Sequence, residues 1–255
     1  QMILTQNNYH SEEAKRLYLS ASAIKQAKQC EFSFCNPKQD DFKTAFVAGH
    51  LFELLATQDI GGLNRLYAER PEMISSQGKT KGQLKVEYRD VSTCAERVRN
   101  QPFLCDLIDR AEKQTILTGT ILGEPVRMMS DLIVDDWIID LKTAKDFKKV
   151  WSDEVNTYVE WWQSWNYPIQ MWIYREIARQ NGLKINHTGL IGVSKANYDM
   201  QAIEISEDLL KQAGADTLYV IGRIKDIRIG AEPIRCECCP TCIELKQIKE
   251  FEIIC

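Results

Sequence analysis

The sequence has no apolar run approaching the roughly 20 residues that a membrane span requires, and its first residues lack the basic, apolar, small-residue order of a secretory signal. A soluble cytoplasmic protein is the expectation, with Gln1 a leftover ahead of Met2 as the expected natural start. No single sign of charge dominates: 32 basic against 36 acidic residues leave a net charge of -4, so bulk electrostatics announce no nucleic-acid partner, although a local basic groove can hide in such an average. No internal repeat, low-complexity tract or Pro/Gly/Ser-rich linker divides the 255 residues, which makes one domain over 1–255 the expectation. With 44% apolar and 27% charged residues, the composition excludes disorder as a description of the whole.

Cysteine, by contrast, is plentiful. The nine cysteines are an odd number, which argues against a complete disulfide framework. Cys236, Cys238, Cys239 and Cys242 crowd into one short segment near the C-terminus. Adjacent cysteines in so short a loop cannot bridge one another without strain, so the cluster points to metal chemistry before disulfides.

Periodicity predicts helices first. Ser20 or Ser22 can cap a helix through about Ser33, and Phe42 to Thr57 has helical apolar spacing before the Gly61-Gly62 break. Arg70 to Arg89, with Pro71, Ser75-Ser76-Gln77-Gly78, Lys79, Lys81 and Lys85, is expected as a mobile basic loop, followed by helical pattern from about Tyr88 to Glu112. The period then changes. Thr115 to Ile121, Pro125 to Val134 and Trp137 to Thr143 are three antiparallel strands separated by turns at Leu122-Gly123-Glu124 and Asp135-Asp136. A Trp-rich stretch precedes a helix from Pro168 to Gly182. Strands at His187 to Lys195 and Met200 to Ile205 lead to a last helix capped by Ser206, with Glu207 and Asp208 complementing its dipole. The fold class is α/β or α+β, a central mixed sheet flanked by helices.

A two-residue turn at Asp135-Asp136 fixes the hairpin register: Val134 faces Trp137, Ile133 faces Ile138, Leu132 faces Ile139, and Asp131 faces Asp140. Like charges directly opposite are destabilising, and a cation between them is the simplest compensation. The strand period puts Lys142 on the face of Asp140 while Leu141 points into the core. Both acids could instead be solvated, with Lys142 an ordinary counter-charge. Asp140, however, sits in Trp-Ile-Ile-Asp-Leu-Lys, a buried-looking strand where an unpaired charge is costly, which favours a metal site. Carboxylates with water suit Mg²⁺ or Mn²⁺, and such an ion beside a lysine suits hydrolysis of a phosphodiester. Asp135 and Asp136 are explained by the turn alone.

These residues resemble a known family. Asp131, eight residues, then Asp140-Leu141-Lys142 is similar to the signature of the PD-(D/E)XK nucleases, with Ser130 where that signature has proline. Gln170-Met171-Trp172-Ile173-Tyr174 resembles the QxxxY motif of the RecB and lambda-exonuclease branch, and Gly49-His50-Leu51-Phe52-Glu53 resembles that branch's first motif. The likeness extends from Tyr18-Leu19-Ser20 through Trp165-Asn166-Tyr167-Pro168-Ile169-Gln170 to Arg235-Cys236, and is nearest to the RecE-like exonucleases of phages and prophages. It implies a restriction-endonuclease-like core and a Mg²⁺-dependent enzyme of the bacterial host cytoplasm that degrades linear double-stranded DNA from the 5′ end. The 3′ single strands would pass to a RecT-type annealing protein for phage recombination. Carried over by position, Glu53, Asp131, Asp140 and the carbonyl of Leu141 would hold metal, Lys142 would orient or activate water, and Gln170 and Tyr174 would steady the site and the DNA. The resemblance also implies a ring-shaped homo-oligomer, trimer or tetramer, around DNA. Arg70 to Arg89 and Trp151 to Trp165 are the candidate channel-lining or subunit-contact segments.

Gln170 and Tyr174, four apart, share one helix face. His50 suits a structural or supporting role beside Glu53. The five tryptophans between Trp151 and Trp172 are expected in core packing, with one exposed member free to wedge a DNA end. Cys30 with Cys236, Cys239 and Cys242 resembles the arrangement by which some RecB-type nucleases hold a 4Fe-4S cluster that staples the domain ends, so that the Cys-rich segment 236–242 would close the domain. Cys35 and Cys238 are rival ligands, zinc is an equal alternative, and free thiols are the plain one. Cys94 and Cys105 need no function. Two other readings stand beside the exonuclease: an endonuclease of the same fold, and an inactive nucleic-acid-binding module built on the cysteine cluster.

Overall fold

The computed structural model describes residues 2–37 and 44–247. The elements run α1 (Glu12–Leu17), β1 (Leu19–Ser20), α2 (Ala21–Gln29), α3 (Glu31–Cys35), α4 (Thr44–Thr57), α5 (Ile60–Glu69), α6 (Val86–Arg99), α7 (Pro102–Arg110), β2 (Glu112–Ile121), β3 (Glu124–Val134) and β4 (Trp137–Ala144). There follow β5 (Val150–Ser152), β6 (Thr157–Val159), α8 (Trp161–Ser164), α9 (Tyr167–Gln180), β7 (His187–Ser194), β8 (Met200–Glu204), α10 (Glu207–Arg228) and α11 (Pro240–Glu244). No helix among the described residues is long and apolar enough to cross a membrane.

The strand alternation builds two cores, one on each face of a mixed sheet. Ile133, Ile138 and Leu190 point to one face and pack with α2, α9 and α10; Leu132, Val134, Ile139, Leu141, Ile191 and Val193 point to the other and pack with α4 to α7. Close approach of the helices on the first face uses Gly214 of α10, where an added Cβ would stand 2.6 Å from the Trp172 indole nitrogen of α9.

The central hairpin has the expected register, Val134 with Trp137, Ile133 with Ile138 and Leu132 with Ile139, around a turn in which Asp135 adopts φ +52°. The ladder stops there and does not reach the expected Asp131–Asp140 pair. Further back, β2 pairs with β3 along its whole length, while β1 pairs in parallel with β3 at Val126 and Arg127. A strand has two edges, so β1 occupies the edge that β4 has left. On its other edge β4 pairs in parallel with β7 over its whole length, from Trp137 to Ala144, and β7 in turn pairs antiparallel with β8. The split between β3 and β4 therefore opens at Asp131 and Asp140.

Other expectations need correction. The helix read through Ser33 breaks at Cys30, whose extended backbone (φ -164°, ψ 108°) ends α2 and whose sulfur caps α3. Arg70 to Arg89 has local structure: one 3₁₀ turn precedes an Ile74–Leu84 bridge and a second lies within the loop it closes, Met73 is fully buried, and α6 starts at Val86. Pattern read as one helix to Glu112 is α6 and α7, broken at Asn100-Gln101, with Glu112 already in β2. Phe42, the expected start of the next helix, lies outside the described residues; α4 is observed from Thr44. The β5–β6 hairpin is an addition to the expected elements. Of the tryptophans, Trp161 is buried and Trp162 and Trp172 pack against the core, whereas Trp151 and Trp165 are exposed.

Candidate active site

Asp140 is 1% exposed, on the sheet face that meets α2 and α9. Its Oδ1 accepts a 2.7 Å hydrogen bond from Gln170 Nε2. Its Oδ2 lies 2.5 Å from Lys142 Nζ, a contact without hydrogen-bond geometry, so this buried oxygen is charge-compensated but carries no hydrogen bond. Burial works against the Lys142 charge, yet Asp140 and Asp131 hold its pKa above the ordinary lysine value.

Asp131 is buried too, and its Oδ2 accepts the Leu141 N–H at 2.7 Å, a bond available because β4 has parted from β3. Burial, then the charges of Asp140 and Glu53, push its carboxyl well above the usual carboxylate range despite Lys142 and that N–H. Glu53 comes from α4, on the opposite face, and its charge is felt at Asp131. Its Oε1 accepts from Gln114 Nε2 at 2.9 Å, and its Oε2 lies 3.6 Å from His50 Nδ1. Tyr174 is buried on the same side of α9 as Gln170, and its phenol is raised first by burial and then by Tyr9, Asp140, Asp131 and Glu53.

Sequence reasoning did not find the second rank of the site. Lys25 of α2 donates to Gln170 Oε1 at 3.1 Å, and its ammonium and that of Lys142 lie 4.8 and 5.5 Å from the Tyr167 ring centroid. Arg127 is buried, stacks 4.7 Å from the Tyr9 ring, donates to the Tyr9 carbonyl and leaves its Nε without a partner. Even spacing does not mark Arg127, because Val126 and Met128 enter the same core as Ile133 and the alternation of β3 changes between them. Nothing in the local pattern of α2 marks Lys25.

The donor set fits a hard divalent cation. Asp131 is raised by burial and by the charges of Asp140 and Glu53, so the three acids sense one another, and one buried Asp140 oxygen has no hydrogen bond. Glu53, Asp131, Asp140 and the Leu141 carbonyl are the residues that would hold it. Among the described residues only the thiols, however, lie within 4.8 Å of one another as a set of three or more; each acid is engaged by its own partner.

That second cluster comprises Cys30, Cys236, Cys239 and Cys242. The Cys30 and Cys242 sulfurs are 3.5 Å apart, and those of Cys236 and Cys242 3.9 Å. Backbone N–H groups of Ser33, Cys239 and Cys242 point at the sulfurs of Cys30, Cys236 and Cys239. Burial opposes ionisation of Cys236, but N–H groups of Cys238 and Cys239 and the neighbouring thiols bring it to about 6. Cys35 and Cys238 are exposed and stand outside the set.

Comparison with known proteins follows the same geometry. A crystal structure described as a "Putative exonuclease" from Eubacterium rectale superposes with a TM-score of 0.83 at 26% identity, covering 99% of this chain and 97% of that one. The structure of SSO0001 aligns with a TM-score of only 0.30 at 12% identity, over 83% of this chain and 87% of that chain, and carries no argument. No curated protein matches. Residues 20–245, from the cap of α2 past the last cysteine of the cluster, match one family throughout, and the chain belongs to it: the PDDEXK-like domain of unknown function, DUF3799.

Proposed function

We propose that the protein is a Mg²⁺-dependent exonuclease that degrades linear double-stranded DNA from the 5′ end, of the RecE-like kind, and leaves 3′ strands for a RecT-type annealing partner in phage recombination. The observation that carries the nuclease reading is the split between β3 and β4, beside which Asp131, Asp140, Lys142 and Gln170 lie together, with the charge of Glu53 felt at Asp131. The description of the Eubacterium rectale relative supports an exonuclease over an endonuclease. A divalent ion held by Glu53, Asp131, Asp140 and Leu141 would acidify a water and neutralise charge on the phosphoryl group. Around it, Gln170 fixes the Asp140 carboxylate in one orientation through Oδ1, leaving Oδ2 turned to Lys142. Lys142 is placed to hold the attacking water or a phosphoryl oxygen. Digestion of end-labelled linear DNA beside closed circular DNA, with and without Mg²⁺, tests this: loss of the linear substrate alone, from its 5′ ends and only with the ion, is expected, and cutting of the circle overturns the exonuclease assignment.

The cysteine cluster is assigned to one zinc ion. Four thiolates about 2.3 Å from a single tetrahedral ion stand roughly 3.8 Å apart, which matches the 3.5 and 3.9 Å separations. In a 4Fe-4S cluster each thiolate binds a different iron and the sulfurs stand farther apart. Elemental analysis of anaerobically purified protein should give one zinc per chain with no absorbance near 400 nm; iron with that absorbance reverses the assignment. By joining Cys30 to the C-terminal segment, the ion would staple the two ends of the chain.

A further inference from the structure

We propose that Lys25 binds the substrate itself, donating to a non-bridging oxygen of the phosphodiester that is cut; this rests on the nuclease reading above.

Lys25 and Lys28 lie one turn apart on α2 and are treated differently. Lys28 is neutralised by Glu154 at 2.5 Å and Asp216 at 3.5 Å. Among the described residues no carboxylate pairs with Lys25. Among the described residues it makes one hydrogen bond, to a neutral acceptor, Gln170 Oε1, at 3.1 Å. An ammonium has three donors, so two remain for a ligand. A partly buried cation with no carboxylate bonded to it is costly, and burial followed by the Lys142 charge lowers its pKa to about 8 against the opposing pull of Asp140. The residue is half-buried and not sealed, so a ligand can reach it.

The direction of those donors follows from Tyr167. Both Lys25 and Lys142 lie near its ring, Gln170 bonds Lys25 through Oε1 and Asp140 through Nε2, and Lys25 feels the charges of both Lys142 and Asp140, so the two cations stand around Asp140. Asp140 already compensates Lys142. A phosphodiester entering beside the two cations supplies the missing anion. During hydrolysis it gains a further negative charge as the attacking oxygen adds, and a cation uncompensated in the free protein stabilises that state more than the ground state. Lys25 also explains the orientation of Gln170: by donating to Oε1 it turns the amide so that Nε2 faces Asp140.

A purely positioning role through Gln170 makes different predictions from phosphate binding, and the full-length protein separates them. Binding is measured, in EDTA so that no cleavage intervenes, to a short duplex and to the same duplex with the terminal 5′ phosphodiester replaced by an uncharged methylphosphonate. Lys25→Met is expected to weaken binding of the normal duplex by about 10- to 100-fold, the worth of a charge-assisted hydrogen bond, and to lose little more on the methylphosphonate. Lys25→Arg should recover most of the loss, and in Mg²⁺ the Met variant should fall more in kcat than it rises in KM. The fold of Lys25→Met is checked by circular dichroism, and Lys25→Gln, which keeps a donor for Gln170 Oε1 without the charge, should bind as weakly as Lys25→Met if the phosphate contact is the cause. Independent, additive losses from the variant and the methylphosphonate overturn the phosphate contact while leaving the nuclease reading intact. Wild-type protein that binds neither duplex overturns both.

Discussion

At the scale of single residues, the site is built from charges that the fold would be more stable without. Asp131 is buried, faces Asp140 and Glu53, and is held well above the usual carboxylate range. Asp131→Asn keeps an acceptor for the Leu141 N–H while removing a like charge. It should raise the stability of the metal-free protein at pH values where the Asp131 carboxyl would otherwise ionise, because a buried like charge is removed; thermal unfolding would show a higher Tm, together with lost cleavage. A lower Tm would mean that the carboxylate is structural. Glu53→Gln should cost cleavage heavily, and His50→Ala much less, because His50 touches the acids only through Glu53 at 3.6 Å. Single-turnover rates in the reverse order would reassign that helix. Asp140 and Lys142 were legible because a charge in an otherwise apolar strand, with strict alternation, has few places to go. Lys25 was not: its α2 neighbours are ordinary helix residues, and only the approach of α9 gives it a role.

At the scale of elements, the hairpin β3–β4 was readable to its last paired residue because turn chemistry fixes register from the turn outward. The place where the strands part was not readable, since it depends on β1, distant in sequence, taking up the edge of β3 that β4 leaves. Asp131 therefore binds the Leu141 N–H and does not stand in register with Asp140. Helix breaks were lost for a similar reason. Cys30 stops α2 by adopting extended backbone and capping α3 with its sulfur, a role tied to the distant Cys242. The segment from Arg70 has the composition of a loop and is held in place by Met73, a single buried anchor. Packing of α9 on α10 depends on Gly214, and Gly214→Ala is expected to destabilise by about 1–3 kcal/mol through overpacking against Trp172. Denaturant unfolding with an unchanged midpoint would show that the two helices can separate without cost.

At the scale of the whole molecule, a net charge of -4 gives little general attraction to DNA phosphates, so a processive enzyme of this composition needs another means of staying on its substrate. We propose enclosure of the duplex by a cyclic homo-oligomer, trimer or tetramer. Lys79, Lys81 and Lys85, all exposed on the segment before α6, are its channel-lining candidates, and exposed Trp151 and Trp165 are candidates for subunit or DNA contact. Light scattering should give a mass three or four times that of the chain; a monomer that releases DNA after a few nucleotides in a competitor trap would contradict enclosure. The chemistry does not depend on that outcome. Its most direct test is the release of acid-soluble nucleotide from linear duplex DNA in Mg²⁺ by wild-type protein and by Asp140→Asn, with folding checked by circular dichroism and binding by gel shift. Loss of about 10³-fold or more in rate, with fold and binding kept, is expected if Asp140 stabilises the reacting phosphoryl group through the bound ion. An Asp140→Asn protein that degrades DNA at the wild-type rate would remove the split between β3 and β4 from the reaction.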